Sequence, residues 1–332
     1  MSSGAPGTES AHGPPLVIDT DNAGMRLDKA LAALVPEGLR GRRRRIATGG
    51  VLLNGAPCRD AARRLRAGDV LGLAQAAPGE GGDPVARPLA RQGEFCFLFK
   101  GAGLHSAALA GKAGDSLEER LPSLCAPLLA PGEEPELLQR LDQGTSGIVC
   151  AALTRDAARA FRAAEAAGEC EKRYLALLTG ALDGPLTARR RLDTAHRRVT
   201  RPLDEDAEPL RRTDFLPLHV WEGRECGRLL SQLDAGGAAA PGALTLAGCR
   251  IRRGARHQIR AHAASLGHPL LGDTRYAGAG KAPHTPERFF LHHGLLAWPG
   301  HRCSVAAPWP WLEASLPPAA LRRVRAWLET AD

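Results

Sequence analysis

Apolar positions over residues 16–73 follow two periods. Leu27, Ala30, Leu31 and Leu34 recur at helical spacing, and Pro36 and Gly38 end that helix. A second helix is predicted from about Arg40 to Ala47, stopped by Gly49-Gly50. Val51-Leu52-Leu53, a turn at Asn54-Gly55 and a short return strand read as a hairpin. Val70-Leu71-Gly72-Leu73 is a last strand after the turn at Gly68-Asp69. Residues 74–90, rich in Ala, Gly and Pro, read as a linker. From about Arg91 onward, short apolar runs of strand length dominate: Phe95–Phe99, Gly147–Leu153, Tyr174–Leu178, Leu216–Val220, Leu244–Leu246 and Phe289–Leu291. Helical stretches are fewer: Ser116–Leu121, Asp156–Ala167, His257–Leu266 and Ala319–Glu329. Strands without regular helical alternation predict an α+β body rather than a doubly wound one. Residues 200–242, with much Asp, Glu, Gly and Pro, read as strands joined by long loops. No internal repeat is visible.

Composition changes this picture in three ways. The net charge of +8 favours a polyanionic partner, although abundant Arg and Ala also suit a GC-rich genome. The eight cysteines form no C-x-x-C pair and no His/Cys cluster of zinc spacing, which fits a reduced cytoplasmic setting. Residues 1–15 are polar and lack the apolar core of a signal peptide, and no run is long enough to cross a membrane. The expectation is a cytoplasmic monomer with a disordered tail over 1–15 and no membrane partner.

The charge is concentrated. The second predicted helix carries Arg40, Arg42, Arg43, Arg44 and Arg45, and Arg59, Arg63, Arg64 and Arg66 add to it. Such a face is either merely solvated or a phosphate-binding surface, since clustered guanidiniums gain affinity by displacing counterions from a nucleic acid. Met25-Arg26-Leu27-Asp28-Lys29-Ala30-Leu31, the basic helix, Gly50–Gly55 and Leu65–Val70 together resemble an S4-type RNA-binding domain. That resemblance spans residues 25–73 and makes Arg26, Lys29, Arg42, Arg43, Arg44 and Arg45 the RNA-binding candidates.

Two constellations carry candidate chemistry. Gln139-Arg140-Leu141-Asp142-Gln143-Gly144-Thr145-Ser146-Gly147 places one carboxylate on a turn of small residues, beside a cation and before an apolar strand. By itself it is either a capped turn or a presented acid. Far downstream lies Gly254-Ala255-Arg256-His257-Gln258-Ile259-Arg260-Ala261-His262, followed by Gly267-His268-Pro269-Leu270-Leu271-Gly272-Asp273 and Tyr276. Each of these residues alone reads as part of a charged face.

Taken with Lys172-Arg173-Tyr174 and Leu291-His292-His293, the two segments resemble RluA-type pseudouridine synthases, in the family's order and behind an S4-type domain. The resemblance implies a fold: a mixed, mostly antiparallel sheet with a central cleft over residues 91–332, behind the small S4-type α+β domain at 16–73. It also implies roles. Asp142 is the catalytic carboxylate, Arg260 its bidentate partner, and Tyr174 the ring against the uracil. Arg140 reaches into the RNA stack, Leu141 and Ile259 wall the pocket, and Thr145, His257 and Gln258 complete the substrate contacts. Pseudouridine formation breaks the C1′–N1 bond of uridine, turns the base and joins C5 to C1′, which requires no cofactor and no metal. The implied partner is structured RNA, ribosomal before transfer RNA. Three positions depart from the family's pattern: Gln139, Ala255-Arg256, and Gly101 in Phe99–Leu104. Two rival readings are an S4-type RNA-binding protein with an inactive synthase-like domain and a phosphotransferase using the Asp142 loop. The second lacks a further Gly-rich phosphate segment, since Gly236-Gly237 is followed by Ala-rich sequence without a cation.

Overall fold

The computed structural model describes residues 16–35, 38–39, 42–43, 46, 51–54, 56–58, 60–73, 86–108, 116–126, 129–130, 133–196, 199–233, 235, 241–276 and 289–329. The expected tail at 1–15, residues 74–85 of the expected linker, Arg40, Arg44, Arg45 and Gly236-Gly237 lie outside the described residues. The chain divides into two compact units, residues 1–83 and 84–332.

The small unit contains strand β1 (Leu16–Val17), helix α1 (Leu27–Ala30), and strands β2 (Val51–Leu53), β3 (Ala56–Pro57) and β4 (Val70–Leu73). Helix α1 is shorter than its apolar spacing predicts, and one 3₁₀ turn over Leu31–Ala33 continues it. The strands pair antiparallel in the order β1-β4-β2-β3. Leu27, Leu31, Ile46, Val51, Leu65 and Leu71 form the core. Strand β1 is too short to carry a period that the sequence could show.

The large unit opens with strands β5 (Ala86–Gln92) and β6 (Phe95–Lys100), helix α2 (Leu117–Cys125), and strands β7 (Glu136–Leu137) and β8 (Ser146–Ala152). Helix α3 (Arg155–Ala167) and strands β9 (Glu171–Thr179), β10 (Leu186–Ala188), β11 (Arg190–Asp193), β12 (Arg201–Asp206) and β13 (Thr213–Glu222) follow. The chain continues through helix α4 (Gly223–Gln232), strand β14 (Ala243–Ile251), helix α5 (Gln258–Ser265), strands β15 (Leu291–Trp298) and β16 (His301–Ser304), and helices α6 (Pro310–Ser315) and α7 (Pro318–Glu329). The result is an α+β body on a mostly antiparallel sheet ordered β10-β13-β14-β9-β15-β8-β6-β5, with β7 beside β8 and β16 beside β15. Period-two burial sorts its faces. Tyr174, Ala176, Leu178 and Cys249 face α2 and α5. Leu175, Leu177 and Leu246 face α4, α6 and α7, while Phe97, Ile148 and Cys150 face α3.

Two expectations are corrected. Residues 86–90 of the expected linker belong to β5, where Pro88 is tolerated because β5 lies at the end of the sheet order and its register shifts between Pro88 and Ala90. Within 200–242, one expected loop is helix α4, whose Cys226, Leu229 and Leu230 are buried against the sheet.

Among the described pairs of this sheet, β8 with β15 is the parallel one, through Ser146↔His292 and Gly147↔His293. Register then sets Lys100, Gly147, His293, Tyr174 and Cys249 in one row across five strands. The row needs a glycine at its second position, between Lys100 and His293. Gly147 has φ +121°, and a Cβ there would lie 2.2 Å from the His293 carbonyl oxygen. Gly147→Ala is therefore expected to cost about 3 kcal/mol or more, from strain plus backbone overlap. Denaturant unfolding within about 1 kcal/mol of the native chain would contradict this pairing.

Candidate active site

The row ends beneath the loop that carries Asp142. Thr145 N–H closes the turn on the Asp142 carbonyl at 3.0 Å. Both flanks of the acid are tied to residues 101–106. Ser106 Oγ donates to the Leu141 carbonyl at 2.7 Å and accepts from Leu141 N–H at 2.9 Å. Gly103 N–H donates to the Gln143 carbonyl at 2.7 Å, and Gln143 Nε2 returns a bond to the Gly103 carbonyl at 3.1 Å. Lys100, fully buried, donates from Nζ to the carbonyls of Leu104 (2.8 Å), Gly101 (3.1 Å) and Gln143 (3.4 Å). Burial pulls its pKa down to about 7, with the charge of Asp142 pulling the other way. The carbonyl of Gly101, one of the departures from the family pattern, is thus part of the support under the loop.

Helix α5 brings Arg260 to the acid. Its Nη1 lies 3.3 Å from Asp142 Oδ2, while its bidentate partner is Asp273: Nε to Oδ2 at 2.7 Å and Nη2 to Oδ1 at 2.9 Å. The expected bidentate Arg260–Asp142 pair is therefore corrected to an end-on contact from a guanidinium already held by a second carboxylate. The reason is geometric: the Nε–Nη2 fork is filled by Asp273, which has no exposed surface, and Nη1 remains to meet Asp142, 20% exposed. Asp273 Oδ1 also accepts the N–H groups of Arg275 (3.1 Å) and Tyr276 (3.2 Å). The Phe289 ring centroid lies 4.2 Å from the guanidinium carbon and closes the apolar side.

His257 precedes α5 in the left-handed region, with φ +55°. Its Nε2 lies 3.8 Å from Asp142 Oδ1, and its Nδ1 lies 2.9 Å from the Tyr276 hydroxyl. Burial lowers the His257 pKa and raises that of Tyr276, so both are neutral near pH 7. The Tyr276 oxygen accepts Thr200 N–H at 2.8 Å. Arg275 Nη1, a donor, lies 3.5 Å from His257 Nε2, so the ring nitrogen nearest Asp142 also meets a cation.

Tyr174 lies flat on His293, with ring centroids 4.4 Å apart and planes 16° from parallel. Burial first, and the Asp142 charge second, push its pKa well above the ordinary phenol value. His293 Nδ1 is 2.7 Å from the Ile148 carbonyl, and burial lowers its pKa to about 3, so a neutral imidazole backs a neutral phenol. Behind them His292 Nδ1 meets Ser146 Oγ at 2.9 Å and its Nε2 meets the Val305 carbonyl at 3.1 Å.

The other sequence candidates divide. Leu141 and Ile259 are buried in the same apolar cluster as Tyr174. Thr145 sits beside them with a buried Oγ1 that has no hydrogen-bond partner among the described residues. Arg140 is exposed. Gln258 instead has a structural geometry. Its Nε2 grips the carbonyls of Arg211 (2.8 Å) and Arg212 (3.2 Å) and Thr213 Oγ1 (3.2 Å), and its Oε1 accepts Ala255 N–H at 2.9 Å. With both amide protons engaged and the residue 2% exposed, Gln258, expected among the substrate contacts, clamps the entry to α5. Arg256 likewise turns its guanidinium to the carbonyls of Thr194 and His196. Gln139 Nε2 reaches the Ile148 carbonyl at 3.5 Å. In the small unit, Asp28 is fully buried and accepts from Arg26 (Nε 3.1 Å, Nη2 2.9 Å) and Arg43 (Nε 2.7 Å), which hold its pKa at about 2. Two of the expected RNA-binding arginines thus already share a carboxylate, while Lys29 is exposed and Arg42 half-buried.

The sequence alone assigns no role to Asp273, Tyr276, Lys100 or His293. Asp273 and Tyr276 stand in the Gly-Asp-x-x-Tyr stretch, the one signal that marks them. Chemically, the site offers one partly exposed carboxylate on a rigid loop, a guanidinium and a neutral imidazole beside it, and a buried neutral phenol. Such a set can attack carbon or move a proton to and from it.

Residues 96–265 match the family model described as RNA pseudouridylate synthase. The chain is 30% identical over 275 residues to "Ribosomal large subunit pseudouridine synthase D" of Xanthomonas campestris pv. campestris, covering 80% of this chain and 76% of that one. The protein of the same name from Zymomonas mobilis subsp. mobilis is 27% identical over 280 residues, covering 81% of this chain and 82% of that one. Among solved structures, "Human RNA Pseudouridylate Synthase Domain Containing 1" shares the fold at a TM-score of 0.54 and 22% identity, over 76% of this chain and 98% of that one.

Proposed function

Because the chain belongs to the RNA pseudouridylate synthase family, an isomerase family, we propose that Asp142 is the carboxylate with which it converts uridine to pseudouridine in large-subunit ribosomal RNA. The observation that carries this reading is the double anchoring of Asp142 by residues 101–106 together with its contact to Arg260. The names of the bacterial relatives support the ribosomal target and a cytoplasmic place of action.

Isomerisation breaks C1′–N1, turns the uracil, forms C5–C1′ and then removes the C5 proton, while N1 gains one. No group is gained or lost. Asp142 either attacks carbon directly or takes a ribose proton to form a glycal. Arg260 holds the carboxylate in one direction, and the His257 ring lies 3.8 Å from its other oxygen. The target base must leave its stack to reach a carboxylate set in a loop. Tyr174 is the ring against which the base lies. As a neutral phenol it can accept the C5 proton only while giving its own to a base, the Asp142 carboxylate whose charge acts on it, so it serves as a relay rather than a standing base. Tyr174→Phe keeps the ring and its stack on His293 and removes only the hydroxyl. It is expected to retain RNA affinity and to lose about 10²–10⁴-fold in turnover, read as tritium released from uracil C5. Near-native turnover would confine Tyr174 to packing.

We assign the small unit to RNA binding, as an S4-type domain. Its resemblance at residues 25–73 supports this, with exposed Lys29 and the arginines not consumed by Asp28 as the contacts. Removing residues 1–83 is expected to weaken RNA binding and to flatten its dependence on salt, because each lost phosphate contact removes about one unit of slope. An unchanged slope would mean that this basic surface faces only solvent. A binding-only protein has no use for a carboxylate, guanidinium and phenol gathered on one sheet face, and that alternative is not favoured.

A further inference from the structure

The register that sets Tyr174 beneath the Asp142 loop also sets His293 beside it. His293 pairs with Tyr174 on β9 and with Gly147 on β8. Gly147 brings no side chain, so of these two neighbours only Tyr174 meets the imidazole with one. Strand β15 shifts register against β9 between His293 and Leu295. A bulge of this kind re-aims a side chain. Here the imidazole lies flat on the phenol, with centroids 4.4 Å apart and planes 16° from parallel. Its orientation is held from β8. A carbonyl can only accept, so His293 Nδ1 donates to the Ile148 oxygen at 2.7 Å. The residue has no exposed surface. The bland account is packing, but a leucine would fill buried space without a polar ring to satisfy. What the histidine adds is a plane, pinned by its own hydrogen bond and laid against the Tyr174 ring.

That plane has a consequence for the chemistry. With one face of the phenol covered, a base meets the ring only by its other face or its edge. A relay between uracil C5 and the Asp142 carboxylate also requires the hydroxyl to reach both. The hydroxyl lies on the axis about which the ring flips, so flips leave it in place. Tilting does not. A tilt of about 10° at the end of the phenol lever moves the oxygen by about 1 Å, and a misplacement of that size costs about 10²-fold in rate. The imidazole stands where the ring would tilt away from the base.

We propose that His293 is a positioning residue, which backs Tyr174 and fixes its hydroxyl between the extruded base and Asp142. The inference rests on the relay assigned to Tyr174. In the full chain, His293→Ala should lower kcat for tritium release about 10²-fold and leave KM and RNA affinity within about twofold of native. His293→Phe keeps a flat ring and loses the bond to Ile148, and should regain about tenfold of that loss or more. His293→Asn keeps a donor for Ile148 and loses the ring, and should stay as slow as the alanine variant. If His293→Ala does not fold, the Phe and Asn variants carry the comparison. A double-mutant cycle then tests whether the effect passes through Tyr174. In a Tyr174→Phe background, His293→Ala should cost no further single-turnover rate, because the hydroxyl it positions is gone. Three results overturn the proposal: native kcat in His293→Ala while Tyr174→Phe is slow, recovery in the Asn variant rather than the Phe variant, or losses that multiply in the double variant. The second would make His293 a tie to β8, and the third a packing residue. Near-native turnover of Tyr174→Phe alone is a separate failure, which removes the relay on which the inference rests.

Discussion

Asp142→Asn is expected to leave RNA bound as tightly as by the native chain and to stop tritium release from uracil C5, a loss on the order of 10⁴-fold or more. The amide has the shape of the carboxylate and keeps an oxygen for Arg260 Nη1, which lies 3.3 Å away. The loop does not depend on the side chain, because its anchors are the backbone groups of Leu141, Asp142 and Gln143. What the substitution removes is the negative charge and the nucleophilic oxygen pair. Affinity and turnover are thereby separated: a variant that binds but does not turn over places the chemistry on this one group. Turnover within tenfold of native would mean that another residue carries it.

The role proposed for Asp142 comes from the sequence, where its loop and the Arg260 segment resemble one family's motifs in a fixed order. How the site is held is not. Ion-pair partners are chosen by tertiary approach, and nothing in the sequence says that the arginine on α5 turns its fork to Asp273, thirteen residues on, and only one nitrogen to Asp142. The row from Lys100 to Cys249 depends on strand register, which apolar runs do not specify. The apolar runs of β9, β13 and β14 mark the centres of those strands but not their ends. In β9, for example, the charged Lys172 and Arg173 are buried by pairing with Glu165 and Glu171. Helix α4 is hard to see in the sequence although Cys226, Leu229, Leu230 and Leu233 repeat at helical spacing. Gly223 and Gly227 weaken its intrinsic preference, and packing on the sheet supplies the rest.

The Arg260–Asp273 arrangement makes a second strong prediction, in which stability and activity part. Arg260→Met removes a side chain that is 1% exposed and leaves Asp273 as a buried carboxylate without a cation. Loss of one member of a buried pair costs about 3–5 kcal/mol, so the variant should unfold at markedly lower denaturant and be inactive. Inactivity alone would then say nothing about catalysis. Adding Asp273→Asn supplies the separation. The amide oxygen still accepts the N–H groups of Arg275 and Tyr276, and the uncompensated charge is gone. The double variant is therefore expected to recover most of the lost stability, since a buried ion pair replaced by neutral groups of similar volume is often no less stable. It is not expected to recover turnover, because nothing then contacts Asp142 Oδ2 from α5. Recovery of both would reduce Arg260 to a structural residue. Recovery of stability with turnover still absent, at unchanged RNA affinity, would place it beside Asp142 as the group that aims the carboxylate.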